Sequence, residues 1–172
     1  MRGWATVLLG AALLASCARG PAPLVHYEDP LLRVALEHPQ GWHVLRSGDG
    51  RWLQVVPSRE TPEPDPLRYT EFLSVRVLPG RPPTHDDALR QEAFSVLPFH
   101  GVAKFQREEG ADPPRYRFEG TGSALTGQWA AVGVLFVLPD RLVHAVCAKP
   151  LDRWREGQRQ CDDLVDRVRP LS

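Results

Sequence analysis

The sequence predicts an α+β domain in which a mostly antiparallel sheet is flanked by helices on both faces, and three patterns carry that prediction. Short strand-like runs alternate with turn residues along most of the chain. Trp129, Ala131, Gly133, Leu135 and Val137 form one alternating set of a longer run, and Ala130, Val132, Val134, Phe136 and Leu138 the other. Both sets are apolar, so this strand needs cover on both faces. Two segments with helical spacing, one central and one C-terminal, can supply it.

Residues 31–37 and 42–46 read as strands joined by His38-Pro39-Gln40-Gly41, with Pro second and Gly fourth as a type I turn prefers. Ser47-Gly48-Asp49-Gly50 turns the chain into a third strand, 51–56. Residues 57–66 contain Thr61-Pro62-Glu63-Pro64-Asp65-Pro66, which cannot pair inside a sheet and reads as a stiff polar excursion. Strand character resumes at 69–78, with Leu73, Val75 and Val77 on one face, and Arg81-Pro82-Pro83 ends it.

Thr84-His85-Asp86-Asp87 matches a capping box with Thr84 as N-cap, and Leu89, Ala93, Val96 and Leu97 follow at helical spacing. The spacing predicts a helix over 84–97. Strands follow at 102–107, 115–121 and 128–138, and the turn Pro139-Asp140 leads into a last strand at 141–148. Between Pro150 and Val168 the residues Leu151, Trp154, Cys161, Leu164, Val165 and Val168 form one helical stripe.

The N-terminus carries a different message. Met1-Arg2 is a positive start, residues 5–14 form an apolar core, and Leu14-Ala15-Ser16-Cys17 follows. That stretch is far short of the roughly 20 residues a spanning helix needs. Leu14-Ala15-Ser16-Cys17 resembles the lipobox of bacterial lipoproteins. The resemblance implies a signal peptide at 1–16, lipid on Cys17, and a lipid-anchored protein on the periplasmic side of an envelope membrane. Ala18, where inner-membrane retention would place Asp, is similar to the pattern sent to the outer membrane. Residues 17–23 are then the lipidated cysteine and a tether whose full reach is only about 20 Å, and residues 24–172 form a single domain.

Losing residues 1–16 removes one charge, Arg2, from a chain with 21 basic and 21 acidic side chains. Near-neutrality gives no electrostatic reason for nucleic-acid binding. Lysine occurs only at 104 and 149, an arginine bias that genome composition explains. Cys147 and Cys161 remain after processing. An oxidising compartment favours a disulfide between them. Cys161 would, however, lie about nine residues, or ~14 Å, along a helix whose start is near Cys147, which leaves two separately buried thiols as the alternative.

The element order, with His38-Pro39-Gln40-Gly41-Trp42 near the start and Trp154 opening the terminal helix, resembles the PsbP-like α/β/α sandwich across residues 30–171. The resemblance implies non-enzymatic binding or assembly work and transfers no functional residue.

The residues themselves offer little catalytic chemistry. Gly120-Thr121-Gly122-Ser123 with Gly127 lies between strands, outside the strand-to-helix context of phosphate loops, and reads as a hairpin turn. No Gly-x-Ser-x-Gly elbow or His-x-x-x-His pair occurs, and His85-Asp86-Asp87 suits a helix N-terminus better than a metal. Trp42, Trp52, Trp129 and Trp154 suit a core. No catalytic residue, cofactor or metal is assigned. The expected partners are the membrane, through the lipid, and a neighbouring envelope protein, with Glu60, Glu63 and Asp65 of the proline-rich loop as the candidate contact. A small envelope hydrolase or metal-dependent enzyme with a site scattered in sequence is the alternative.

Overall fold

The computed structural model describes residues 22–57, 64–65, 67–95 and 97–172. Along the chain run β1 (Leu24–Asp29), β2 (Val34–Pro39), β3 (His43–Arg46), β4 (Trp52–Val56), β5 (Phe72–Pro79), α1 (Asp86–Ser95), β6 (Phe99–Arg107) and β7 (Arg115–Ala124). Then come β8 (Gly127–Val137), β9 (Arg141–Pro150), a 3-10 turn (Leu151–Arg153), α2 (Trp154–Asp166) and β10 (Arg169–Pro170). Seven strands form an antiparallel sheet in the order β3-β4-β5-β9-β8-β7-β6, and β1-β2-β10 make a second, small sheet.

The two alternating sets of β8 face two different cores, as their composition demands. Val132, Val134 and Phe136 join Val143, Ala145 and Cys147 of β9 beneath Cys161, Leu164 and Val165 of α2, with Val34 and Leu36 of the small sheet in the same cluster. On the other face Trp129, Ala131 and Leu135 meet Phe118 and the α1 residues Leu89 and Ala93. The fold is thus α+β with helices on both faces, one helix sharing its layer with the small sheet. No helix among the described residues is long and apolar enough to cross a membrane.

Polar contacts fix the helices in place. Arg117 of β7 pairs with Asp162 and Asp166 of α2 at 3.0 and 2.8 Å, and Arg115 pairs with Glu108 at 2.7 Å and with Asp166. On the other face His144 of β9 is 1% exposed, stacks on Phe118 with centroids 5.1 Å apart, and donates from Nε2 to the Ala93 carbonyl of α1 at 2.7 Å. Lys149, 4% exposed, pairs with Glu71 while its ammonium lies 5.5 Å from the Trp42 ring.

Several sequence expectations need correction. A strand precedes the first one expected: β1 pairs with β2 over its whole length, although Leu24 and Val25 are exposed. Backbone pairing makes it a strand, which is why its side chains carry no burial pattern. The turn after β2 is one residue later than expected, with Trp42 N–H donating to the Pro39 carbonyl at 3.1 Å and Gly41 at φ +92°. It carries the chain from the small sheet to the large one. The glycines 120 and 122 lie inside β7, pressed by neighbours: a Cβ on Gly120 would meet the Gly101 carbonyl at 2.7 Å, and one on Gly122 would strike the Trp129 ring. The turn itself is at Leu125-Thr126.

The first helix runs from Asp86 to Ser95, shorter than the predicted 84–97. Leu151 falls in the 3-10 turn, 45% exposed, outside the buried stripe of α2.

Cys147 and Cys161 are joined by a disulfide, their Cα atoms 5.1 Å apart. The helix does not extend away from Cys147; it folds back over the strand. Cys147 lies three residues before the end of β9 and Cys161 seven residues after the start of α2, so each is about 10 Å from the reversal and the two stand level.

Candidate functional site

Register divides the large sheet into two ends. At one, Pro79 pairs with Arg141, Val137 with Leu142, Arg115 with Phe136 and Arg107 with Tyr116. At the other stand Phe72 with Ala148, Trp129 with Pro150, and the β7–β8 hairpin tip. The chain enters at the second end, since the Pro23 carbonyl accepts from Gln40 N–H at 2.7 Å and Trp42 lies against Lys149.

At the first end, far from that entry, the structure holds a groove of about 520 Å³. Three connections converge to build it: Pro82 and Pro83 after β5, Pro113 and Pro114 between β6 and β7, and Pro139 between β8 and β9. Prolines end strands because they lack a donor and fix φ, and here they make stiff apolar walls. The loops are tied together through the backbone: Gly80 N–H donates to the Asp140 carbonyl, Val137 N–H to Pro114 and Leu138 N–H to Arg141, at 2.9, 2.9 and 3.0 Å.

Leu89, Val137 and Tyr116 contribute the floor. Tyr116 is 5% exposed, stacks on Phe105 with centroids 5.1 Å apart, and donates its hydroxyl to Asp86 at 2.7 Å. Burial raises the pKa of that hydroxyl and the Asp86 carboxylate raises it further, so it stays protonated and the bond is kept. Asp86, expected as part of a helix start, thereby also orients the groove floor. Arg81, Arg107 and Asp112 supply charge at the exposed rim.

The lining contains no Ser, Cys, His or Lys. Its two arginines against one aspartate suit a carboxylate beside an apolar group. No cluster of three or more His, Cys, Asp or Glu that could hold a metal occurs among the described residues. The groove offers shape, apolar surface and modest positive charge, which suit recognition.

The residues singled out in the sequence lie elsewhere. Cys17, Glu60 and Glu63 are outside the described residues. Asp65 is used within the fold: its carboxylate accepts from Leu67 N–H at 2.9 Å and pairs with Arg68 at 3.7 Å, while its own N–H donates to Gln54 at 2.9 Å. The disulfide cysteines meet beneath α2, away from the groove. The groove is not legible locally: Pro82 and Pro83 read as a strand stop and Pro139 as part of a turn, each with a sufficient reason of its own. Paired prolines recurring at 82–83 and 113–114, both just outside strands, were the available signal.

Comparison with solved structures decides the fold type. The chain superposes on cyanobacterial PsbP (CyanoP) from Synechocystis with a TM-score of 0.63 and 15% identity, over 91% of this chain and 98% of that one. The fold is PsbP-like. A crystal structure from Bacteroides thetaiotaomicron matches with a TM-score of 0.53 and 10% identity, over 86% of this chain and 48% of that one. LpqN, involved in cell envelope biogenesis of Mycobacterium tuberculosis, is similar at a TM-score of 0.47 and 12% identity, over 85% and 88%. No protein-family model and no curated protein matches the sequence. The PsbP-like fold places the groove where the β6–β7 and β8–β9 connections meet the link from β5 to α1.

Proposed function

We propose that the protein is a lipid-anchored envelope lipoprotein that docks a segment of a neighbouring envelope protein in its proline-walled groove, without turning over a substrate. The observation that carries this is the position and lining of the groove together. It opens at the end of the sheet opposite the chain entry, about 35 Å away along the eleven residues of β8. A tether of about 20 Å holds the entry end near the membrane, so the groove faces away from it. The walls are fixed by proline and backbone pairing, which limits the ordering cost of binding. The arginines favour a partner segment that presents an apolar side chain next to a carboxylate.

Anchoring follows from Leu14-Ala15-Ser16-Cys17, and Ala18 favours the outer membrane. Two or three acyl chains hold a protein firmly where one does not. The proposal involves no cofactor, metal or nucleic acid. The acidic loop is the weaker docking candidate, because Asp65 is already engaged inside the fold.

In-cell crosslinking tests the docking. A photoreactive residue at Thr84, on the groove rim, is expected to form a specific adduct with an envelope protein, and one at the exposed Arg159 of α2 is not. Equal adducts, or none from Thr84, would refute the groove as the contact. Metabolic labelling with a fatty-acid analogue should tag the wild type and not Cys17→Ala; an untagged, freely soluble wild type would refute the anchor.

A further inference from the structure

We propose that the entry end of the domain itself rests on the lipid surface through Leu67, Leu125 and Leu151. This rests on the lipid anchor proposed above. Leu125, at the tip of the β7–β8 hairpin, is 77% exposed, Leu67 is 49% exposed and Leu151 45% exposed. They form one surface: Leu125 N–H donates to the Leu67 carbonyl, Thr126 donates its hydroxyl to the Arg68 carbonyl at 3.0 Å, and Thr126, Gly127 and Leu151 line one hollow.

Exposed leucines gathered at one place mark a contact surface, whereas scattered ones need no explanation. Leu24 and Val25, 40% and 41% exposed, stand on the first residues of β1 at the same end. Among the described residues one large exposed aliphatic lies at the opposite end: Leu31, 70% exposed, in the turn whose Arg33 reaches Asp140 at 3.3 Å.

The length of chain before this surface identifies the occupant. Cys17 lies six residues before Pro23, so the lipid-bearing residue is no more than about 20 Å from the domain even when the tether is straight. Any relaxation of the tether shortens that distance and brings this end to the headgroups first. Of the nearby charges Arg68 pairs with Asp65, Lys149 with Glu71, and Arg153 stands 3.9 Å from Glu71, while the exposed Asp152 lines the same hollow. Apolar side chains beside internally paired charges fit the acyl and headgroup boundary.

The test uses the full chain, processed in cells and reconstituted into phosphatidylethanolamine and phosphatidylglycerol vesicles. Leu125→Cys and Leu31→Cys each add one thiol; Cys147 and Cys161 are closed in the disulfide, and Cys17 carries the proposed lipid. Each variant takes an environment-sensitive fluorophore. The label at 125 is expected to shift to the blue and to be quenched by nitroxide lipids, and the label at 31 to do neither. Anchored protein with both labels equally aqueous overturns this proposal and leaves the anchor standing. A shift at 125 without lipid quenching also overturns it, assigning the surface to a protein or a second copy. Protein that labels at Cys17 and does not float with vesicles refutes the anchor, and this proposal with it.

Discussion

Acidification should weaken the fold through His144 by an amount that its surroundings define. The imidazole is fully buried between Phe118 and α1, and burial lowers its pKa from the ordinary 6.5 to about 3, against the opposing effect of its bond to the Ala93 carbonyl. The unfolded chain therefore takes up this proton before the folded one does. Stability is complete above pH ~6.5 and falls as the pH drops toward ~3, because the proton binds preferentially to the unfolded state. At pH 5 the population-weighted loss from this one group is about 2 kcal/mol, and by pH 3 it approaches 4 to 5 kcal/mol. Urea unfolding at pH 7.5 and pH 5.0 measures it. His144→Gln removes the titrating ring, and its own cost appears at both pH values, so the difference of differences isolates protonation. Stopping at pH 5 keeps clear of Asp49 and Asp140, whose lowered pKa values, set by hydrogen bonds from Ser47 in the first case and opposed by desolvation but driven by Arg141 in the second, place their loss in stronger acid. An equal acid loss in wild type and His144→Gln would refute the assignment.

Three other outcomes follow from the packing. Reducing the disulfide between Cys147 and Cys161, or replacing both with Ser, should cost about 3 kcal/mol for a closed loop of this length, read as a lower urea midpoint; an unchanged midpoint would show that the α2 contacts alone hold the helix. Glu71→Gln leaves the Lys149 ammonium, 4% exposed, without its carboxylate and should cost about 3 kcal/mol, whereas Glu71→Leu with Lys149→Met should recover most of it in the same unfolding assay. Gly133→Ala places a methyl 2.8 Å from the Ala145 carbonyl and against the Phe118 ring, so a loss of about 1 to 3 kcal/mol is expected in thermal unfolding.

What sequence reading recovered depended on whether the signal was local. β8 declared its double burial through ten consecutive small or apolar residues, and α2 through a stripe at 3.6-residue spacing, because both faces of one element can be read from that element alone. β1 could not be read so, since Leu24 and Val25 are exposed and its pairing partner, β2, lies beyond Pro30. Gly120 and Gly122 look like a turn in sequence; only the rings of Phe99 and Trp129, brought in by β6 and β8, explain why glycine is required inside a strand. The groove needed three connections separated by some thirty and twenty-five residues to meet, and Pro82, Pro83 and Pro139 already had sufficient local reasons in a strand stop and a turn. The disulfide was legible as chemistry but not as geometry, because the reversal at the 3-10 turn sets the distance.

The β1–β2 hairpin decides how load applied to the chain before Leu24 would enter the domain. Leu24 pairs with Pro39, so the pulled end of β1 and the exit of β2 stand side by side. Load that pulls β1 away from β2 at that end opens the pairs successively, as a zipper opens, whereas load along the strand axis shears all six together. Peeling from that end runs pair by pair until it reaches Asp29. That carboxylate is 0% exposed, holds Leu31 and Leu32 N–H at 3.0 and 2.9 Å, and pairs with Arg46 of the large sheet at 2.5 Å. The first strand thus has a fixed stop at its far end, where Asp29 ties the hairpin to the large sheet through Arg46.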